Sequence, residues 1–523
     1  MKTTNQLTIT AHDVRDVKAC SAKIAGKLLQ FPAHPSPTAS FLARKGQEFE
    51  DRVLTELFPV RRPPTGGNQR RRVIEYPSEY RNFRAVTNRL RTAPVGTVLI
   101  QPPLRVRFKK HVYLTGRPDF LLRTEAGWMV VDVKSHRPFV YVRREQEGLG
   151  WLKPARAFVR RPARPRSTPL VKLRPDDQVQ LEHYRQILTR LGVQVTEESV
   201  VIGPSPDGGQ PIAAGGVTNT GQWETAVGEI LTIAKNPAGE YRPWYTSSVC
   251  RPCKYRRTCV PAVLASRSAS LAGISRREAE SWGRDLLTLA RRDLSAADGR
   301  ERISIIRARS RLAQRPLVIT PDNSLPASPN AWDVDIEDEF GVPFLLGMLD
   351  GSGQYRYWAT NPLKGWDGAR DLYLRFWSAA RRARPDVVFH YGHHEVAVLD
   401  TLDPSRPFTS LPTRDVHRWL TSTVALPGVT GYGLKDVAQS LGFAWRVEDP
   451  AGSWLLEWVD GLRKQDVDPN CPFEQLPGAD FVLTYNEDDL RAQRHVRQVL
   501  SSLVVRRPGW SDPERWVPPD FPA

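Results

Sequence analysis

The chain is short of cysteine, of long apolar runs and of acid. Five cysteines among 523 residues are too few for a secreted disulfide scaffold. No stretch approaches 18 consecutive apolar residues, which excludes a membrane-spanning helix, and Met1–Gln6 leads into no apolar core of signal-peptide length. The expected compartment is the reducing cytoplasm, where clustered cysteines hold metal rather than disulfides. No Gly-x-x-x-x-Gly-Lys-Ser/Thr sequence occurs, so any strand separation needs another protein. Acid is outnumbered: 57 Asp and Glu face 75 Lys and Arg, a formal charge of +18 with a pI near 9.9. Such an excess suits a polyanionic partner, and nucleic acid is the expected one.

The length allows two to four domains, each with its own core. With 40% hydrophobic and 25% charged residues the composition is that of an ordinary globular protein. Residues 1–261 read as α/β, with a helix around Ser40–Phe58, β-rich stretches up to Ser135 and an amphipathic helix over Asp176–Leu191. Between the last two, Arg137–Arg174 holds 11 Lys or Arg against two Glu. It reads as a mobile basic insertion that touches phosphate, or as a solvated loop. Residues 262–315 have helical spacing. Leu271-Ala272-Gly273-Ile274 and Trp282–Leu289 resemble a degenerate helix-hairpin-helix, with a plain helical linker as the alternative. Pro316–Pro329 reads as an interdomain boundary. A second α/β unit spans 330–510. Its strand candidates are Trp332–Glu337, Phe344–Leu349, Tyr355–Ala359 and Val387–Tyr391, and its helix candidates Asp367–Arg382, Glu395–Leu402, Leu434–Leu441 and Asp480–Leu500. Three strands, a helix and a further strand is the order of an RNase H-like fold.

Two constellations carry chemistry. In Val112–Ser135, apolar runs flank Thr124-Glu125-Ala126-Gly127, a tight hairpin turn. Pairing about that turn sets Asp119 opposite Asp132, with Cβ atoms roughly 5 Å apart. Two carboxylates so close repel unless a divalent cation lies between them, which points to Mg²⁺ or Mn²⁺. Alternation puts Lys134 on the face of Asp132, where its charge can orient water or stabilise a developing phosphate anion, and turns Met129, Val131 and Val133 into the core. The other reading is an ordinary exposed Asp/Lys hairpin.

Asp119…Asp132-Val133-Lys134 followed by Gln180-Leu181-Glu182-His183-Tyr184 resembles the PD-(D/E)xK nucleases of the RecB group, whose core is restriction-endonuclease-like. The resemblance implies that Gln180 and Tyr184, one turn apart on a helix, lie beside the substrate phosphate. It also implies an acid on an earlier helix as a further metal ligand, Glu50 or its rival Glu48. One cysteine before this core and three after it, Cys20 and then Cys250, Cys253 and Cys259 in C-x₂-C-x₅-C spacing, resemble the iron–sulfur branch that includes the CRISPR adaptation nucleases. There a Cys₄-held [4Fe–4S] cluster clamps the two ends of the domain, with a Cys₄ zinc site as the alternative. Cys471 lies outside the pattern and reads as a buried thiol.

Trp332-Asp333-Val334-Asp335-Ile336-Glu337 alternates strictly, with three acids on one face. A core strand does not crowd acids in this way without a cation. Asp335 and Glu337 are the favoured pair and Asp333 a flanking acid. Downstream, Glu395 opens a helix after Gly392-His393-His394, and Tyr485 and Asp489 lie at i and i+4. D-x-E, an acid after His-His, and Y-x-x-x-D resemble the YprB-type RNase H-like exonucleases of the DEDD class. That resemblance implies two Mg²⁺ or Mn²⁺ ions held by Asp335, Glu337, Glu395 and Asp489, with Tyr485 orienting the attacking water. In order, the whole resembles the RecB-like nuclease family with a fused RNase H-like domain. The implied function is a metal-dependent, exonucleolytic DNase on single-stranded DNA in repair or processing, working with a helicase partner. The alternatives are a nucleic-acid-binding scaffold with one live site, or an RNA-directed nuclease.

Overall fold

The computed structural model describes residues 6–506 apart from 59–73, 76–81, 138, 142–150, 161, 163–170, 206–209, 219–220, 246, 251, 266–270, 272–273, 284, 321–324, 430 and 448–452. The chain divides into two compact units, Met1–Pro243 with Pro252–Cys259, and Trp244–Arg251 with Val260–Ala523. Among the described residues no helix is long and apolar enough to cross a membrane.

In the first unit β1 (Leu7–Thr10) enters α1 (Ala11–Ala19) through Thr10, which caps the helix reciprocally with Asp13. There follow α2 (Ser21–Leu28), α3 (Pro37–Leu57), β2 (Ile74–Glu75), α4 (Phe83–Thr92) and β3 (Val98–Ile100). Next come β4 (Leu104–Lys109), β5 (Val112–Gly116), β6 (Phe120–Thr124), β7 (Gly127–Val133), β8 (Phe139–Tyr141) and β9 (Trp151–Pro154). The rest are α5 (Ala155–Arg160), β10 (Val171–Leu173), α6 (Pro175–Arg190), β11 (Glu198–Gly203), β12 (Ile212–Val217) and α7 (Gln222–Lys235). Seven strands form one sheet, β2-β3-β6-β7-β11-β12-β9, while β1-β5-β4 form a small second sheet.

The hairpin β6–β7 closes on Glu125 and Ala126, with Thr124 opposite Gly127 and Phe120 opposite Val131. Strand β7 runs parallel to β11, and α6 makes the crossover between them, as a parallel connection requires. Both faces of β7 are covered. Trp128 and Val130 join one core with Val179 and Leu181 of α6, and Met129, Val131 and Val133 join another with Val53 of α3 and Phe158 of α5.

The basic stretch Arg137–Arg174 is not a simple loop in its described part. It supplies β9, an edge strand of the large sheet, and α5, and its Trp151 and Phe158 are fully buried. The charges outnumber these apolar anchors, so composition hid them. Residues 142–150, 161 and 163–170 of that stretch lie outside the described residues.

The second unit holds α8 (Ser247–Cys250), receives α9 (Arg256–Ala265) from the first, and continues with α10 (Arg276–Trp282), α11 (Leu286–Ala290) and α12 (Gly299–Ala313). Then follow β13 (Leu317–Val318), β14 (Ala331–Glu339), β15 (Val342–Leu349), β16 (Tyr355–Ala359), α13 (Gly365–Ala383), β17 (Val387–His390) and α14 (His394–Leu402). The chain ends with β18 (Thr413–Asp415), α15 (Val416–Thr423), β19 (Val424–Ala425), α16 (Leu434–Ser440), α17 (Ser453–Lys464) and α18 (Ala479–Arg506). One five-stranded sheet runs β16-β15-β14-β17-β18. Strand β14 is central, antiparallel to β15 and parallel to β17, and α18 packs across its face.

Residues 262–315 do not behave as a linker. Leu286, Leu289, Ile305 and Ile306 build a core that takes in Leu317 and Ala425, and β13 pairs with β19. The Pro316–Pro329 stretch therefore lies inside this unit, although its residues 321–324 are outside the described set. Of the helix-hairpin-helix resemblance, Ala272, Gly273 and Arg284 are likewise outside it. Asp285 caps α11 through the N–H groups of Leu287 and Thr288, which accounts for the acid by helix capping alone.

Candidate active sites

In the first unit the hairpin register sets Asp119, just ahead of β6, against the end of β7, where the Val133 N–H donates to Asp119 Oδ2 at 2.5 Å. Asp132 is 2% exposed and is met from two sides. Lys134 Nζ lies 2.5 Å from its Oδ2, and Gln180 Nε2 of α6 donates to the same oxygen at 3.0 Å. Gln180 also donates to the Tyr184 hydroxyl, which donates in turn to the Arg117 carbonyl. The Gln-x-x-x-Tyr pair thus ties α6 to β7 and to the approach to Asp119. Gly116 is what lets this happen: a Cβ there would stand 2.6 Å from the Tyr184 ring.

Burial, with Asp132 and Glu50 beside it, pushes the Asp119 carboxyl well above its ordinary range. Burial works against the Lys134 ammonium, yet Asp132 and Asp119 outweigh it and raise the lysine. Burial and the same two acids raise the Tyr184 phenol.

Of the two rival acids on α3, Glu50 turns toward Asp119 and accepts from Gln101 Nε2 at 2.5 Å. Glu48 is exposed and ion-paired to Lys45 at 2.7 Å. Gln101 was not legible in the sequence. It sits at φ +46°, a left-handed conformation unusual for glutamine, and also accepts from Arg117 Nη2. The donor set is carboxylate and amide oxygen, and Gln180 Oε1 is buried without a hydrogen-bond partner. Such a set fits a hard divalent cation. Its three acids do not bring one oxygen each within 4.8 Å of one another, so the acids would have to draw together to share an ion.

The cysteines divide between the units. Cys20 precedes α2, and the Ala22 and Lys23 N–H groups point at its thiol, although burial dominates and raises it. Cys253 lies close enough to act on both Cys20 and Cys259. Cys259 accepts from the Tyr241 hydroxyl at 3.2 Å, and the His34 N–H donates to the Lys254 carbonyl at 2.7 Å, tying this segment to the chain after α2. Cys250, on α8, belongs to the second unit and contacts the Trp244 carbonyl. The Cys20, Cys253 and Cys259 sulfurs do not all lie within 4.8 Å of one another. Tetrahedral zinc needs sulfurs about 3.8 Å apart, given Zn–S bonds of about 2.3 Å. Cys471 is half-buried, its sulfur 3.6 Å from the Pro472 carbonyl.

In the second unit the three acids of β14 meet different fates. Asp333 is fully buried and held by Arg494 and Arg497 of α18 at 2.7 and 2.9 Å. With its charge matched by two guanidinium groups, it is structural rather than a flanking ligand. Among the described residues, Asp335 and Glu337 have no such partner. Together with Asp489 of α18 they form the one group of three or more acidic, His or Cys side chains, among the described residues, whose ligand atoms all lie within 4.8 Å.

Asn486 bridges Asp335 Oδ2 at 2.9 Å and Glu337 Oε1 at 3.2 Å. It reaches them because β15 offers Gly347 opposite, where a Cβ would sit 1.7 Å from Asn486 Oδ1. Trp445 donates to Asp489 Oδ1 at 2.9 Å. Lys435 at the start of α16 approaches Asp489 Oδ2 at 3.3 Å and donates to the Tyr485 hydroxyl.

Burial and then Asp489 push Asp335 up to about 8. Burial with Asp335 and Asp489 raises Glu337 well above its usual range, and burial raises Asp489 despite Lys435. Glu395 of α14 is buried nearby, raised by burial and by Asp335, and its Oε2 has no hydrogen-bond partner. It stands outside the 4.8 Å group. Crowded acids and an orphaned carboxylate oxygen are what a site for divalent cations requires.

Lys435, Trp445 and the bridging role of Asn486 escaped the sequence reading. Lys435 and Trp445 lie 50 and 44 residues before their partners, and no periodicity marks them. Asn486 could have been singled out by Gly347, a lone small residue in an otherwise bulky strand.

No match is found among the curated proteins or among the solved structures. Residues 334–501 match the family model described as the RNase_H superfamily. That span holds Asp335, Glu337, Glu395, Tyr485 and Asp489 and leaves the first unit aside. Residues 334–501 form an RNase H-like domain, and with it come a nuclease-type function and the use of divalent metal.

Proposed function

We propose that the protein is a metal-dependent deoxyribonuclease with two phosphodiester-cleaving sites and a structural iron–sulfur cluster. The observation that carries the reading is the convergence of Asp335, Glu337 and Asp489 within 4.8 Å on an RNase H-like sheet. In the C-terminal site these three residues and Glu395 would hold the ions. A divalent cation there polarises the scissile phosphate and lowers the pKa of water. The protein's own part is positional. Asn486 and Trp445 aim the carboxylates, and Tyr485, held by Lys435, orients the attacking water. In the N-terminal site Asp119, Asp132 and Glu50 would be the ligands, Lys134 the charge facing the phosphate, and Gln180 and Tyr184 the groups that orient Asp132. The +18 charge supports a nucleic-acid substrate. The test is cleavage of end-labelled single- and double-stranded DNA with Mg²⁺ or Mn²⁺, comparing the wild type with Asp132→Ala and Glu337→Ala. Wild-type rates in both variants on every substrate would overturn the reading.

Lys435→Met gives a sharper check on the C-terminal site. Removing an ammonium 3.3 Å from Asp489 should tighten Mn²⁺ binding, because a positive charge no longer competes with the ion. Cleavage should still fall, by roughly 10- to 100-fold, since Tyr485 loses the Lys435 hydrogen bond that helps to fix its hydroxyl. Calorimetric titration beside a rate assay reads both, and unchanged Mn²⁺ affinity would remove Lys435 from the site.

For the cluster, Cys20, Cys250, Cys253 and Cys259 are the ligands. Anaerobically purified protein should be brown, absorb near about 400 nm and contain about four irons. Cys253→Ser should bleach it and lower the melting temperature. Closing a loop of about 230 residues removes several kcal/mol of unfolded-chain freedom by the argument used for disulfides. A colourless protein with one zinc would defeat the assignment.

A further inference from the structure

The small sheet β1-β5-β4 has one face in the core, where Ile9 and Leu114 are fully buried and Leu7, Val106 and Val112 pack against them. Alternation puts the neighbours of these residues on the other face. The strand registers align them in two rows, Thr8–Tyr113–Arg107 and Thr10–Thr115–Arg105. Arg107 is exposed. The Arg105 guanidinium lies 4.4 Å from the Tyr113 ring centroid and 5.9 Å from that of Phe83, which is itself 42% exposed. Arg105 Nη2 donates to Gln6, while its Nε is buried without a hydrogen-bond partner. Among the described residues no carboxylate pairs with either arginine.

Both strands beneath this face run into the hairpin acids. From Thr115, β5 continues through Gly116 and Arg117 to Asp119, a span of about 13 Å at strand rise. From Thr10, β1 continues into α1, where Arg15 Nη2 stands 3.4 Å from His12 Nδ1. His12 feels the charges of Lys134 and Asp132, and Tyr184 feels that of Arg15. Thr8 and Thr115, two guanidinium groups with no carboxylate partner among the described residues, the half-buried Tyr113 ring and the exposed Phe83 ring thus lead toward Asp119 and Asp132, while the Thr10 hydroxyl is taken up by Asp13.

We infer that this outer face is a track for single-stranded nucleic acid leading into the Asp119–Asp132 site. Arg105 and Arg107 hold consecutive backbone phosphates, and Tyr113 with Phe83 receives a base. Aromatic faces interleaved with unpaired cations suit a single strand, whose bases are free to stack, better than a duplex. The inference rests on the nuclease reading of this site, because a track needs a reaction to serve.

The test is fluorescence anisotropy of a 5′-labelled dT₂₀ strand with full-length protein in EDTA, which prevents cleavage, between 50 and 200 mM KCl. Replacing both arginines by Gln (R105Q/R107Q) should weaken binding at least about 10-fold. The slope of log affinity against log salt should fall by about 1.4, the value for two phosphates of a single strand. Tyr113→Leu should weaken binding by roughly 5-fold or more with the slope unchanged. Asp132→Ala should bind as the wild type does. If the arginine variant melts normally and binds with wild-type affinity and slope, the track is wrong. The arginines would then serve only to keep the β4 edge from pairing with another strand, and gel filtration would show the variant self-associating. The two readings fail separately. In a Glu337→Ala background, which silences the other proposed site, normal cutting by Asp132→Ala sinks the nuclease assignment of this site. Wild-type binding by the sheet variants, with cutting lost on adding Asp132→Ala in that background, sinks the track alone.

Discussion

Asp335→Asn should cut metal-dependent cleavage by the C-terminal domain ~1,000-fold, the loss expected when a catalytic ion worth several kcal/mol is displaced. In EDTA it should make the protein more stable than the wild type at pH 8. Both effects come from one cause. Without an ion, burial and Asp489 hold the Asp335 carboxyl near 8, far above its ordinary 3.8. An acid whose folded pKa is raised keeps its proton in the folded chain at pH values where the unfolded chain has lost it. Stability therefore falls as pH rises from about 4 to about 8, at up to about 1.4 kcal/mol per unit for one group. Asparagine cannot titrate and still accepts from Asn486, so the variant avoids this loss.

Thermal melts across pH 5 to 9 check the sign. The variant should gain little at pH 5 and several degrees at pH 8, since 1 kcal/mol moves the melting temperature by about 2–4 °C in a domain of this size. Added Mn²⁺ should reverse the order by stabilising the wild-type C-terminal unit through binding to its folded state, while that unit of the variant should gain far less. A variant less stable than wild type at pH 8 in EDTA, or one that Mn²⁺ still stabilises fully, would mean that Asp335 is not a strained ligand.

What the sequence disclosed follows from how local each feature is. The hairpin register could be read because a two-residue turn and period-two alternation determine it within a dozen residues. The acids of β14, and the pair Tyr485 and Asp489 on α18, were legible for the same reason. Local pattern could not tell Asp333 from Asp335. They share a face, and only Arg494 and Arg497, more than 160 residues later, make the first a structural ion pair. Trp151 was hidden because its strand is embedded in basic residues, and its burial depends on Gly215 of β12, where a Cβ would stand 2.2 Å from the indole. The packing of residues 262–315 was missed because β13 pairs with β19 across more than 100 residues. Gln101, Lys435 and Trp445 have no signature at all, because their work is to orient acids that come from other elements.

Asp132→Ala and Lys134→Ala should separate the two proposed sites. Each should abolish the N-terminal cleavage, by ~1,000-fold for the acid and about 100- to 1,000-fold for the lysine. Binding of single-stranded DNA should be nearly unchanged, because a ligand or charge that acts in the transition state adds little in the ground state. The two variants should differ in stability. Lys134 is the cation that accompanies the buried Asp132, so its removal leaves that carboxylate, among the described residues, with the Gln180 amide alone and should cost a few kcal/mol in metal-free protein. Asp132→Ala removes the acid itself and relieves Asp119, whose carboxyl is held up by burial and by Asp132, so its melting temperature should stay closer to the wild type. Mn²⁺ should restore Lys134→Ala toward wild-type stability, because an ion can take the place of the lost ammonium between the carboxylates, without restoring its cleavage rate. Melts and single-turnover digests of the two variants with and without Mn²⁺ decide the matter. If Lys134→Ala melts as the wild type does in EDTA and cuts at full rate, the hairpin acids do not form a site, and the +18 charge serves binding alone.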